Sequence, residues 1–77
     1  MKLSETIGLR VSELLKERQI SQYYLFKTGG VPRSTVCDVI NHKKKRVSTE
    51  TIYQICSTLN ISLSEFFDSP FFNDIDD

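Results

Sequence analysis

Residues 21–40 contain two short amphipathic segments separated by a pair of glycines and a proline. Leu25 anchors the first segment, Gly29 and Gly30 follow it, and Pro32 opens the second. A glycine readily adopts the left-handed conformation that ends a helix, and the fixed φ of proline suits the start of one. The chain must therefore turn sharply between two short helices, and this turn restricts the possible folds most.

Apolar residues recur at helical spacing along the chain, and no strand pattern stands out. The pattern predicts a first helix over residues 5–18, with Ser4 as its N-cap, and a short second helix capped by Ser21. Pro32 is either the N-cap or the first residue of the third helix, which stops near Asn41. A glycine-containing turn between two such helices is typical of a helix-turn-helix.

The second half of the chain predicts two more helices. Ser48 caps the fourth helix, which ends at Asn60. Ser62 and Glu65 have the spacing of a capping box, which begins a short fifth helix. Five short helices with tight connections make an all-α domain, which we place at residues 1–68.

The aromatic residues near the C-terminus have different expected roles. We expect Phe66 and Phe67 to lie mostly in the core. Residues 69–77 form an acidic C-terminal tail without a helical period. Phe71 and Phe72 in this tail either fold back onto the helices or form a dimer contact, and the sequence leaves both possibilities open.

The charges of this neutral chain are segregated along the sequence. Residues 27–46 carry six cations and one carboxylate, whereas residues 47–77 carry six carboxylates and no Lys or Arg. A polyanion would therefore bind the middle of the chain and avoid its end. The basic part finishes in four consecutive cations: Lys43, Lys44, Lys45 and Arg46.

Several function classes are disfavoured by what the sequence lacks. We find no metal-ligand cluster, no nucleophile-base pair and no paired carboxylates on one face, so we expect no enzyme, no metal and no cofactor. No signal peptide or membrane-length apolar run is present, so we expect a cytoplasmic protein that does not contact a membrane. Cys37 and Cys56 are expected to be free thiols, although a redox role for Cys37 stays open.

The third helix has a polar stripe that suits DNA. In a helix-turn-helix the second helix of the pair enters the major groove, and its first residues reach base edges. With Val36, Val39 and Ile40 turned to the core, the opposite face presents a set of mostly short polar side chains. This set consists of Arg33, Ser34, Cys37, Asp38 and Asn41.

Each polar residue of this region has a specific possible contact. Arg33 can donate two hydrogen bonds to guanine O6 and N7, and Asp38 can accept from cytosine N4. Ser34 and Thr35 can donate to a base or a phosphate. Gln22 lies beside the free backbone N–H groups at the start of the second helix. The cations at residues 43–46 add affinity without sequence information.

The chain resembles the lambda-repressor-like, Cro-type helix-turn-helix regulators, also called the XRE family. The resemblance covers about residues 5–67 and is carried by ISQYYLFKTGGVPRSTVCDVINHKKK and VSTETIYQICSTLNISLSEFF. The pair Ser21-Gln22 begins the first helix of the motif as in the family, and Gly30 matches the glycine that ends it. Pro32–Thr35 opens the recognition helix as in many members, and Leu59–Ser62 matches the end of the fourth helix.

The resemblance implies a five-helix domain that binds a pseudopalindromic operator in double-stranded DNA as a homodimer. It implies phosphate contacts by Gln22, Thr35, Asn41, Lys43, Lys44, Lys45 and Arg46. It implies base reading by Arg33, Ser34 and Asp38. Three positions depart from the family pattern. Phe26 replaces a small residue, Gly29 replaces an apolar residue, and His42 replaces the glycine after Asn41.

Two functions follow as expectations. The first is a sequence-specific transcriptional regulator, most simply a repressor. The alternative is a protein-interaction module, such as an antitoxin-like subunit whose aromatic C-terminus binds a protein partner.

Overall fold

A computed structural model of the chain describes residues 1–43 and 45–76. This part of the chain forms five α-helices and one 3-10 helix, and contains no strand. The helices are α1 (Leu3–Arg18), α2 (Gln22–Lys27), α3 (Arg33–Ile40), α4 (Thr49–Leu59) and α5 (Leu63–Phe67), followed by the 3-10 helix Pro70–Asn73. The prediction of an all-α domain with five short α-helices is confirmed.

A single core draws apolar side chains from all five α-helices. Leu25 of α2 and Phe66 of α5 have no exposed surface, and Val31 in the turn between α2 and α3 is almost fully buried. Burial of such side chains is the main favourable contribution to folding. The remaining core residues are Ile7, Val11, Leu14, Leu15, Val36, Val39, Ile52, Ile55, Cys56 and Leu59.

The start of α1 differs from the prediction. The helix begins at Leu3 and its N-cap is Lys2, so the prediction of Ser4 as N-cap is wrong. The Glu5 carboxylate accepts a hydrogen bond from the backbone N–H of Lys2 at 3.0 Å. A first-turn carboxylate thus satisfies an N–H group that has no partner within the helix, without a hydroxyl at the cap.

The starts of α4 and α5 agree with the prediction. The hydroxyl of Ser48 accepts from the N–H of Thr51 at 3.1 Å, and the hydroxyl of Ser62 accepts from the N–H of Glu65 at 3.0 Å. Pro32 is the N-cap of α3, which resolves the choice left open by the sequence. Ser48 and Ser62 have the extended backbone dihedrals typical of an N-cap, and Pro32 has φ of −54° and ψ of 139°.

Three helices end in a left-handed residue that is not glycine. These residues are Gln19, His42 and Asn60, with φ of 55°, 61° and 59° after α1, α3 and α4. In each case the next N–H bonds back to a carbonyl five residues earlier, as in the donation from Lys43 to Asp38 at 2.9 Å. The end of α4 at Asn60 was predicted, whereas the ends at Gln19 and His42 lack the glycine that usually marks them.

The C-terminal segment folds back onto the helices. The 3-10 helix packs against α1, and the ring centroid of Phe72 lies 5.0 Å from that of Phe67 and 6.1 Å from that of Phe66. Phe72 thus folds back onto the helices, which is one of the two possibilities that the sequence left open. The prediction that Phe67 is mostly in the core is wrong, because its side chain is 41% exposed. The Asp76 carboxylate accepts from the terminal amine of Met1 at 2.8 Å, and this bond raises the pKa of the amine.

Candidate nucleic-acid interface

The orientation of α3 is set by its apolar side. Val36 and Val39 are each only 1% exposed, which turns the opposite side of this two-turn helix outward. Arg33, Ser34 and Asn41 are exposed at its two ends. Cys37 and Asp38, the other polar residues of this side, are half-buried, and so is Thr35. The structure therefore places all the predicted α3 residues on one accessible element.

A close approach of α1 holds the C-terminal end of α3 in place. A Cβ at Gly8 would overlap the backbone oxygen of Val39 and would lie 3.0 Å from Nδ1 of His42. Only a residue without a side chain allows this approach at position 8. The position of α3 relative to α1 therefore depends on a glycine in the middle of a helix, although glycine lowers helix propensity there.

The basic segment begins immediately after the left-handed His42. Lys43, Lys45 and Arg46 are exposed, and Lys44 lies outside the described residues. Lys45 and Arg46 also border a shallow cleft whose far side is the first turns of α1. The turn thus leaves three described cations at the end of the candidate groove helix, as predicted from the sequence.

The start of α2 offers backbone N–H groups to solvent. Ser21 has the extended conformation of an N-cap, but its hydroxyl makes no capping hydrogen bond within the described residues. Gln22 is the first helical residue and is exposed. Because helix α2 packs against α3, this uncapped end belongs to the same two-helix unit as the polar stripe.

Gly29, which departs from the family pattern, has a packing reason. A Cβ at this position would overlap the hydroxyl oxygen of Thr58 in α4 and would lie 2.6 Å from the backbone oxygen of Leu25. The next residue, Gly30, has the left-handed φ of 71°. The two glycines therefore have different roles, since one permits close packing and the other permits the turn.

Phe26, a second departure, belongs to α2, and its ring lies near Arg33 of α3. Its ring is half-buried against the core, and the guanidinium carbon of Arg33 lies 5.5 Å from the ring centroid. The ring of Tyr23 meets Phe26 edge to face at 5.3 Å, and Nζ of Lys27 lies 5.6 Å from the centroid of Tyr23. The two contacts of Tyr23 join residues three and four positions apart within α2, a spacing that is visible in the sequence. The contact between Arg33 and Phe26 crosses the turn, so local spacing does not predict it.

The charged residues of the polar stripe on α3 are not held in ion pairs with other described residues. Within residues 1–43 and 45–76, neither Arg33 nor Asp38 forms an ion pair. Positions 33 and 38 are five residues apart, which is not a favourable spacing for an ion pair on a helix. The second cysteine, Cys56, belongs to the core, where burial raises the pKa of its thiol and favours the neutral form.

None of the helices that the structure describes has the length and apolar composition needed to cross a membrane.

The comparisons with known proteins identify the family. Neither the search of curated proteins nor the search of solved structures finds a match. A family model described as the Cro/C1-type HTH DNA-binding domain matches residues 10–71, which include α2, the turn and α3. The chain therefore belongs to the Cro/C1-type helix-turn-helix DNA-binding domains.

Proposed function

We propose that this protein is a sequence-specific DNA-binding transcriptional repressor that acts as a homodimer in the cytoplasm. The observation that carries the proposal is the exposed polar side of α3, which opens with Arg33 and Ser34 and leads directly into exposed cations. A major groove about 12 Å wide admits a helix with such a face. A repressor needs only to occupy its operator, so this domain is sufficient for the proposed activity.

The proposed contacts divide into two kinds. Contacts to phosphates fix the position of the protein, and contacts to base edges select the sequence. We assign the phosphates to Gln22, Thr35, Asn41, Lys43, Lys44, Lys45 and Arg46. We assign the base edges to Arg33, Ser34 and Asp38. Arg33 is the most informative of these, since a bidentate contact to guanine discriminates by about 1–3 kcal/mol.

A second copy of the chain has a suitable apolar surface on α5. Leu63 and Phe67 lie one helical turn apart and are 36% and 41% exposed. Neighbouring apolar residues at this spacing form one stripe on a helix. We propose that this stripe contributes to the dimer contact, which would place two copies of α3 on successive half-sites of an operator.

Selection from a random DNA library tests the proposal. We would recover bound duplexes at about 150 mM salt, where non-specific binding to phosphates is weak. A two-fold symmetric site with half-sites about one helical turn apart is expected. The variant Arg33→Ala should bind this site with the preference for one G·C pair in each half-site lost. Enrichment of no sequence by the wild type would exclude a sequence-specific regulator.

The oligomeric state needs a separate measurement. Analytical ultracentrifugation should give a dimer for the wild type and a monomer for Leu63→Glu, whose new carboxylate suits the first turn of a helix. The control Tyr53→Glu changes an aromatic side chain that is 60% exposed on α4, and it should stay dimeric. A dimer that survives Leu63→Glu would remove α5 from the proposed contact.

The same stripe supports a second candidate function. If a different protein covered Leu63 and Phe67, the chain would be an interaction subunit, such as an antitoxin-like protein. This candidate predicts a wild-type monomer that enriches no DNA sequence, whereas the repressor predicts a dimer with a palindromic site. The two experiments above therefore separate the two functions.

A further inference from the structure

Among the candidate base-reading residues, Arg33 has its guanidinium close to an aromatic ring. Its central carbon is 5.5 Å from the centroid of Phe26, within the distance at which a cation is attracted to a ring face. Phe26 is in turn fixed by the core on one side and by the ring of Tyr23 on another. An exposed arginine thus lies on a half-buried, well-supported surface.

The contact with the Phe26 ring leaves the N–H donors of Arg33 free of hydrogen bonds to described residues. The attraction between a cation and a ring face is electrostatic and does not require a hydrogen bond from the guanidinium. Among the described residues none accepts a hydrogen bond from Arg33. The fork of donors that guanine O6 and N7 require is therefore available while the side chain is held.

Holding the side chain before binding has an energetic consequence. An arginine on a helix surface samples many rotamers, and their loss opposes binding. A ring that already favours one set of rotamers reduces this loss and strengthens the contact made from those rotamers. This gain in affinity is confined to the base pair that Arg33 contacts.

We propose that Phe26 is a positioning residue for Arg33, which it orients for reading a G·C pair in the major groove. The inference rests on the proposed function, because it requires that Arg33 reads a base. It explains why a large aromatic residue occupies this position of α2. An aliphatic side chain there would offer no ring face to a cation.

The free protein allows a first test that does not need DNA. In nuclear magnetic resonance spectra, the side-chain protons of Arg33 should show upfield ring-current shifts in the wild type and in Phe26→Tyr. These shifts should disappear in Phe26→Leu. Wild-type Arg33 shifts equal to those of an unstructured arginine would overturn the proposal, whatever the variants do.

The second test is a double-mutant cycle on the selected operator. It compares the wild type, Phe26→Leu, Arg33→Ala and the double variant on the operator and on a duplex with the G·C pair changed to A·T. Phe26→Leu should lower the preference for G·C by about two- to fivefold. It should have no effect when Arg33 is already Ala, and Phe26→Tyr should restore the wild-type preference. Tyr53→Leu, which changes an exposed ring on α4, is the matched control and should behave as the wild type.

The outcomes separate this inference from the proposed function. If the wild type selects an operator and Arg33→Ala loses the G·C preference, an unchanged or increased preference in Phe26→Leu would overturn the positioning role alone. A loss that persists in the Arg33→Ala background would assign Phe26 a purely structural role and would also overturn it. If the wild type selects no operator, or an operator without a preference that depends on Arg33, the inference fails together with the role of Arg33.

Discussion

Arg10 joins two helices that are far apart in the sequence. From α1 its Nε and Nη2 donate to the backbone oxygens of Phe66 and Glu65, both at 2.7 Å, and its Nη1 donates to the Glu13 carboxylate at 2.6 Å. The backbone oxygens at the end of a helix have no partners within that helix. The arginine therefore satisfies the C-terminal end of α5 and fixes the position of this short helix against α1.

Replacing Arg10 should destabilise the domain strongly. We expect Arg10→Met to lower the free energy of unfolding by about 3 kcal/mol, because charged hydrogen bonds are lost and the part-buried backbone oxygen of Phe66 loses its donor. Urea denaturation monitored by circular dichroism measures the free energy of unfolding. Arg18→Met, at an exposed position of the same helix, should change the value by less than about 0.5 kcal/mol. Equal effects of the two substitutions would show that the α1–α5 contacts contribute little.

The left-handed residues Gln19 and His42 should respond differently to glycine. A left-handed conformation costs a residue with a side chain about 1–2 kcal/mol, and glycine avoids most of this cost. Gln19→Gly should therefore stabilise the domain by about 0.5–1 kcal/mol. His42→Gly should gain less, because the ring that lies beside Gly8 is lost. Thermal unfolding of the two variants compares them, and a larger gain for His42→Gly would mean that this ring contributes no packing.

The helices of the domain differ in how they begin. The hydroxyl of Ser48 caps α4, whereas the hydroxyl of Ser21 makes no capping bond to α2 within the described residues. Helix α2 has only six residues, so its own hydrogen bonds stabilise it weakly. Burial of Leu25 and packing against α3 hold it in place. The stability of α2 thus depends on packing against its neighbours, whereas α4 is also stabilised by its own capping hydrogen bond.

A matched pair of serine substitutions tests this difference between elements. Ser48→Ala should lower the free energy of unfolding by about 1 kcal/mol, because a first-turn N–H loses its acceptor. Ser21→Ala should change the value by less than about 0.5 kcal/mol, since no capping bond is removed. Chemical denaturation of both variants under identical conditions gives the comparison. A comparable loss in Ser21→Ala would mean that its hydroxyl caps α2 in solution.

At the scale of the whole molecule, the cations on one segment determine how binding responds to salt. Each phosphate contact made by a cation releases counterions, so the slope of log K against log salt measures the number of contacts. The described members of the basic segment, Lys43, Lys45 and Arg46, are all exposed. A net charge of zero therefore does not imply a weak salt dependence.

Neutralising two of these cations should reduce the salt dependence by a defined amount. For the double variant Lys43→Gln, Lys45→Gln we expect the slope to fall in magnitude by about 2. Fluorescence anisotropy with a labelled duplex at several salt concentrations measures it. Lys16→Gln, an exposed cation on α1 outside the proposed contacts, should leave the slope unchanged. An equal change for Lys16→Gln would indicate binding through diffuse charge.

Local sequence patterns predicted the elements and much of the candidate site. The spacing of apolar residues predicted the inward faces of α1 and α4, and short-range chemistry predicted Ser48 and Asn60 at the ends of α4. Apart from the start of α1, where Lys2 and not Ser4 is the N-cap, the main features that were missed depend on partners distant in sequence. Arg10 finds its acceptors in α5, and the 3-10 helix exists because Phe72 packs on Phe66 and Phe67. A one-dimensional pattern does not contain these contacts.

The left-handed residues at the ends of α1, α3 and α4 also bear on the lifetime of the protein in a cell. Each kcal/mol held as backbone strain raises the unfolded fraction of a domain about fivefold. Proteases that act on the opened chain remove it in proportion to that fraction when opening and closing are fast. Glycine at Gln19 would therefore lengthen the half-life of the protein and raise its steady-state concentration several-fold without touching the proposed DNA contacts.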